Sequence, residues 1–208
     1  ERDFYKKAID TNQMAQFIPT ASALGAIQTI YQHEAAHVSF LIAAIQGAGG
    51  TPISQPTFDF SGANGANNGP FATAFSNYNL FLAVAQTFED TGVRAYKGQA
   101  AGLKADNGVL TAALNIHSVE ARHASHIRWM RSNLVADPLA AGVAKPWITG
   151  NNSNIASSDV QASYNGENVT VQATVPITGF VSTNAATEAF DEPLTMAEVL
   201  AIVDGFIV

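Results

Sequence analysis

Along the first two-thirds of the chain, apolar residues recur at alternating steps of three and four, the period of helices that bury one face. Phe4, Tyr5 and Ala8 mark a first helix from Glu1 to about Ala15. Leu24, Ile27, Tyr31, Glu34, Val38, Leu41 and Ile45 form the stripe of a longer one over residues 22–47. The run Gly-Gly-Thr-Pro at 49–52 stops it, and the glycine- and asparagine-rich stretch 62–69 is a loop. Pro70, which has no N–H to leave unpaired in a first turn, is expected to open a third helix reaching about Gly98. Its face is Leu82, Ala85, Glu89, Val93, Tyr96 and Ala100. After the turn at 105–108, a fourth helix runs to about Leu134 with Ala113, Ile116, Glu120, Ala124, Ile127 and Met130 along one side. The pattern then changes. Val169, Val171, Ala173 and Val175 alternate with polar residues, as in a half-buried strand. Thr195 and Glu198 match a capping box ahead of a short apolar helix, Val199 to Phe206.

Two positions on these stripes break the apolar rule in the same way. Glu34 and Glu120 stand where the core needs a hydrocarbon, and each is followed three residues later by a histidine, His37 and His123. Residues three apart share a helix face, so each pair points at the same interior. Glu89 sits likewise on the third helix. Three unpaired carboxylates in a core would each cost several kcal/mol. No basic residue is evident at the core-facing positions, so two divalent metal ions, which favour oxygen and imidazole ligands, are the expected compensation. With eight Glu and five His in 208 residues, chance gives only about 0.2 Glu-x-x-His pairs. Two, each on a helix stripe, match the site design in which two helices give Glu-x-x-His and two give Glu.

The ligand set expected on that basis is Glu34, His37, Glu89, Glu120 and His123. Tyr5 and Tyr96 hold corresponding places on the first and third helices, so a first-helix Glu would fall before Glu1; Glu1, one turn further in, is the substitute sixth ligand. A rival reading takes His33-Glu34-Ala-Ala-His37 as a zinc site with Glu34 as base, but it leaves the second Glu-x-x-His without a role. His117 is expected near the site, His126 and the Asp90–Arg94 pair at the surface. No residue is assigned a catalytic role.

Charge adds a boundary. All ten Lys and Arg lie in residues 1–145 with ten acids, whereas 146–208 hold seven acids and no base, so the net −7 belongs to the tail. This divides the chain into a helical domain, 1–145, and an acidic C-terminal lobe, 146–208. An acidic chain with no basic face makes nucleic acid an unsuitable partner. Hydrophobic residues at 47% permit a packed core, and no apolar run approaches the roughly 18 residues of a membrane span. The absence of cysteine excludes disulfides and thiolate metal sites. The opening ERDFYKK reads as a helix already under way, which fits a removed signal peptide or, equally, a trimmed start; the expected location is extracellular or periplasmic rather than cytoplasmic.

The chain resembles the ferritin-like superfamily, and within it the branch of plant desiccation-related proteins and their bacterial and fungal relatives. The matching stretches are Phe4-Tyr5 and residues 33–41, 56–60, 88–98 and 119–124, with 191–195 and 198–200 near the end. Residues 146–188 depart from the pattern and read as an insertion with strand character. The resemblance implies an antiparallel four-helix bundle with a long crossover between the second and third helices, and a C-terminal lobe with short β-strands and a short helix. It implies two iron or manganese ions on the residues named above, and a small-molecule oxidant, oxygen or peroxide, in a stress response. The alternative is a non-catalytic structural or stress-protective protein that keeps the bundle without a complete site. The strand at 169–175 is expected to pair within the chain; edge-to-edge assembly into a homo-oligomer through the C-terminal lobe is the alternative.

Overall fold

The computed structural model describes residues 1–134 and 145–208. The chain is mainly helical, with a small two-stranded sheet in its C-terminal region, as the sequence predicts for a ferritin-like helical bundle. The domain boundary expected after residue 145 abuts residues 135–144, which lie outside the described residues. Among the described residues no helix is long and apolar enough to cross a membrane. The described residues form two compact units, Glu1–Phe81 with Val203–Val208, and Leu82–Ile202.

In the first unit, α1 (Arg2–Ala15) packs on α2 (Ala21–Gly47). Thr20 caps α2 by accepting the Ala23 N–H on its hydroxyl at 3.1 Å. At the other end Gly49 takes φ 78, and the Gly49 and Gly50 N–H groups return to the Gln46 and Ile45 carbonyls. That paired closure is why the glycines at 49–50 end the helix. Ile27, Ile30 and Glu34 are buried, but Leu41 and Ile45, expected on the same core stripe, are 39% and 41% exposed. The buried face therefore ends about three turns earlier than the periodicity suggests.

The aromatic centre of this unit is Phe4, which stacks on Phe81 at 5.1 Å and meets Tyr5, Phe60 and Phe75 at tilted or edge-on angles. The crossover loop is organised on the carboxylate of Asp59, which accepts the N–H groups of Ser61, Gly65 and Asn67 at 2.9–3.0 Å. Residues 203–208 close against the same loop: Asp59 N–H donates to Phe206 O, Val208 N–H donates to Thr57 O, and Phe58 bridges Ile207. The Ser61 hydroxyl foremost, with the backbone donors, holds the Asp59 carboxyl down at about 2 against the opposing effect of burial. Its folded value lies below its unfolded one, so its stabilisation is complete above about pH 4 and is lost as pH falls toward 2. Asp59→Asn should remove that part of the acid transition, as read from melting temperatures of the two proteins between pH 5 and 2; superimposable curves would refute it.

In the second unit, α3 (Tyr78–Ala100) contributes its residues from Leu82 onward, and α4 (Asn107–Ser132) lies across hydrogen bonds from it. The third helix begins later than Pro70 suggests. Residues 70–76 form turns, and Asn77 Oδ1 accepts the Leu80 N–H at 3.2 Å at the helix start. Asp106 caps α4 through the Gly108 and Val109 N–H groups. Gly98 is required where it stands, because a Cβ there would lie 1.8 Å from the Leu194 carbonyl oxygen. The extended segment at Leu194 runs against α3, and Leu194 N–H donates to Arg94 O at 3.1 Å.

The C-terminal region differs in detail from its expected form. Residues 169–175 are not one strand. They fold back at Ala173 and Thr174, both at positive φ (47° and 71°), so that β1 (Val171–Gln172) pairs antiparallel with β2 (Val175–Pro176). Both loop residues in the left-handed region give the tight two-residue hairpin, here without the usual Asn-Gly signal. The partner strand is thus within the chain, though it is the second half of the same segment. The insertion also contains a 3-10 helix, Ser158–Tyr164, and a short helix α5, Thr183–Glu188, that alternation did not reveal. The capping box is present: Thr195 N–H donates to Glu198 Oε2 and Glu198 N–H to Thr195 Oγ1, opening α6 (Met196–Val203).

Candidate metal centre

Glu34 is 3% exposed on α2, and His37, one turn on, places Nδ1 3.3 Å from Glu34 Oε2. On α3, Glu89 is fully buried; on α4, Glu120 is fully buried and His123 is 5% exposed. His123 Nδ1 stands 3.2 Å from Glu89 Oε2 and 3.5 Å from Glu120 Oε2. One imidazole thus faces carboxylates from two helices, because Glu120 and His123 are three residues apart on α4 while Glu89 faces them from α3. In the second unit Glu89, Glu120 and His123 each offer one ligand atom, and these three atoms lie within 4.8 Å of one another. A buried cluster of two carboxylates and one imidazole is a donor set that can hold a metal.

Glu1 is exposed at the start of α1, where its carbonyl accepts the Tyr5 N–H. His33 is exposed while Glu34 is buried, so the two point in different directions, against the zinc-site reading. His117 Nδ1 lies 2.9 Å from the Val93 carbonyl of α3. His126 is exposed and stacks on Trp129, as expected of a surface residue.

Sequence reasoning missed a second buried polar system. Asp90 and Arg94 do not form a surface pair; they are 4% and 1% exposed. Arg94 instead reaches the Glu167 carboxylate at 2.6 Å and donates to the Ser163, Asn165 and Glu192 carbonyls. Asp90 pairs with Arg128 of α4 and accepts from the Tyr164 hydroxyl at 2.7 Å. Arg131 donates to Gln86 Oε1 at 2.6 Å and to the Asn154 carbonyl. Burial, and then the charge of Asp90, push the Tyr164 hydroxyl above its ordinary range. Burial likewise raises the Glu167 carboxyl to about 7 against the pull of Arg94. The core therefore contains basic residues after all, but Arg94 and Arg128 are matched to Glu167 and Asp90. A signal for them was present: Gln86, Asp90 and Arg94 follow one another at steps of four, as do Glu120, Ala124 and Arg128.

A family model described as a ferritin-like domain matches residues 1–133. The chain belongs to this ferritin-like family. The match covers the helices that carry Glu34, Glu89, Glu120 and His123, and it ends before the acidic C-terminal residues. No curated protein and no solved structure shows significant similarity to the chain.

Proposed function

We propose that this ferritin-like chain is a dimetal-carboxylate protein holding two iron or manganese ions and acting on a small oxidant, oxygen or peroxide. The observation that carries the reading is the grouping of Glu89, Glu120 and His123 within 4.8 Å, with Glu34 the proposed further carboxylate. The donor set fits: hard carboxylate oxygens with a borderline imidazole suit iron and manganese, and there is no cysteine to favour a softer ion. Bound iron or manganese supplies one-electron redox chemistry toward such an oxidant. The chain's own part is to hold the ligands in place and to exclude bulk water around them. His37 at Glu34 extends the donor set, and Glu1 is the proposed occupant of a further position.

The motif stretches over 33–41, 88–98 and 119–124 support placement in the desiccation-related branch and a stress-protective role. The proposal includes an extracellular or periplasmic location. It also includes a homo-oligomer formed through the C-terminal lobe, where Val171, Val175 and Phe180 are exposed.

Metal analysis of the purified protein tests the central point. About two equivalents of iron or manganese per chain are expected, falling by half or more in Glu120→Gln, with peroxide consumption falling alongside. No metal above background, after reconstitution with either ion, would replace this reading with that of a non-catalytic protein built on the same bundle.

A further inference from the structure

We infer that a cleft at the corner between α1 and α2 binds a neutral, polyhydroxylated small molecule of sugar size. The inference does not depend on the metal reading. The cleft has a volume of about 410 Å³. That lies within the roughly 300–1,000 Å³ usual for small-molecule sites. None of the residues lining it carries a charge. Its polar wall consists of the side-chain amides of Asn12, Gln13, Gln16 and Gln28, and its apolar part includes Ile9 and Leu24.

Three features point to a ligand. Asn12 is only 8% exposed, and its Oδ1 accepts the Ile18 N–H at 2.8 Å. That leaves the two N–H donors of its Nδ2 without an acceptor among the described residues, on a side chain that lines the cleft. Solvent reaches these donors through the cleft, so a ligand hydroxyl can take the place of water as their acceptor. At the start of α2, Thr20 receives the Ala23 N–H on its hydroxyl and the Leu24 N–H on its carbonyl. The Ala21 N–H at the cleft wall is a further donor with no acceptor among the described residues. Finally, Gln16 ends α1 at φ 48°, a conformation for which glycine or asparagine is favoured. The chain nevertheless keeps there a long amide that faces the cleft.

The lining selects the ligand class. An amide presents donors and an acceptor without net charge, and a hydroxyl group can answer either. A charged ligand would lose its hydration with no counter-charge to replace it. A molecule with several hydroxyl groups and one C–H-rich face matches the amides and the aliphatic surface together.

Saturation-transfer NMR with the full chain tests this, using sucrose as the neutral probe and acetate as the anionic one. Sucrose should bind with a Kd in the millimolar range, equivalent to about −4 kcal/mol, and the Gln13→Leu/Gln28→Leu double variant should weaken it about tenfold. Both glutamines are exposed, so the variant retains its fold, which circular dichroism checks. Gln16→Gly supplies a readout that structure alone would not give: it should raise the melting temperature while weakening sucrose binding. No saturation of sucrose, equal binding by the double variant, or displacement of sucrose by equimolar acetate would each overturn the inference.

Discussion

Verified removal of metal from the purified protein should lower its melting temperature by about 10 °C. A ligand that binds only the folded state at a thousandfold excess over its Kd stabilises by about 4 kcal/mol. For chains of this size each kcal/mol moves the midpoint by roughly 2–4 °C. The site makes the effect large for a specific reason: Glu89 and Glu120 bring carboxylate oxygens within 4.8 Å of one another. Two ionised carboxylates at that separation repel by about 3 kcal/mol at an effective dielectric of about 20. Removing a cation from among them costs its attraction and restores the repulsion. Differential scanning calorimetry before and after chelation, with metal content measured on the same samples, is the check. Identical melting curves for loaded and stripped protein would show that the carboxylates are compensated in some other way.

The second large effect lies in the buried arginine system. Arg128→Met should destabilise the protein by about 3–5 kcal/mol, because it leaves Asp90 with its arginine gone in a place water does not reach. Asp90 would keep the Tyr164 hydroxyl, one neutral donor in place of a full positive charge. Adding Asp90→Asn should recover much of the loss, since an amide can still accept from Tyr164 and carries no charge to strand. A double-mutant cycle by urea denaturation separates this coupling from the packing change at residue 128. If Arg128→Met falls within about 1 kcal/mol of the parent protein, the pair contributes little to stability.

These two systems show what the sequence could and could not convey. The helices were legible because burial of one face leaves a step of three or four in the pattern, whatever lies on the other side. Glu34 and Glu120 stood out by interrupting that step, and a histidine three residues on made each interruption specific. Asp90 and Arg94 were read locally, as an ion pair one turn apart. Their actual partners are Arg128, 38 residues away, and Glu167, 73 residues from Arg94, and no local period encodes such separations. The same holds for the hairpin. Alternation correctly marked 171–172 and 175 as extended, but Ala173 and Thr174 lack the turn chemistry that would have announced a reversal. Pro70 misled for the opposite reason: it is compatible with a first helical turn, but equally with the turns that precede α3.

The pairing of residues 57–59 with 206–208 has a consequence for biosynthesis. During translation, α1, α2 and the crossover loop leave the ribosome long before their last partner is made. Nearly 150 residues separate Asp59 from Phe206. At about 5–20 residues per second, that leaves a delay on the order of ten seconds or more in which the loop edge at Phe58 lacks its partner. A stalled or prematurely terminated chain would keep that edge open beside the Phe4 and Phe60 rings. Such a product is a natural client for chaperones, and residues 203–208 supply the step that completes the first unit.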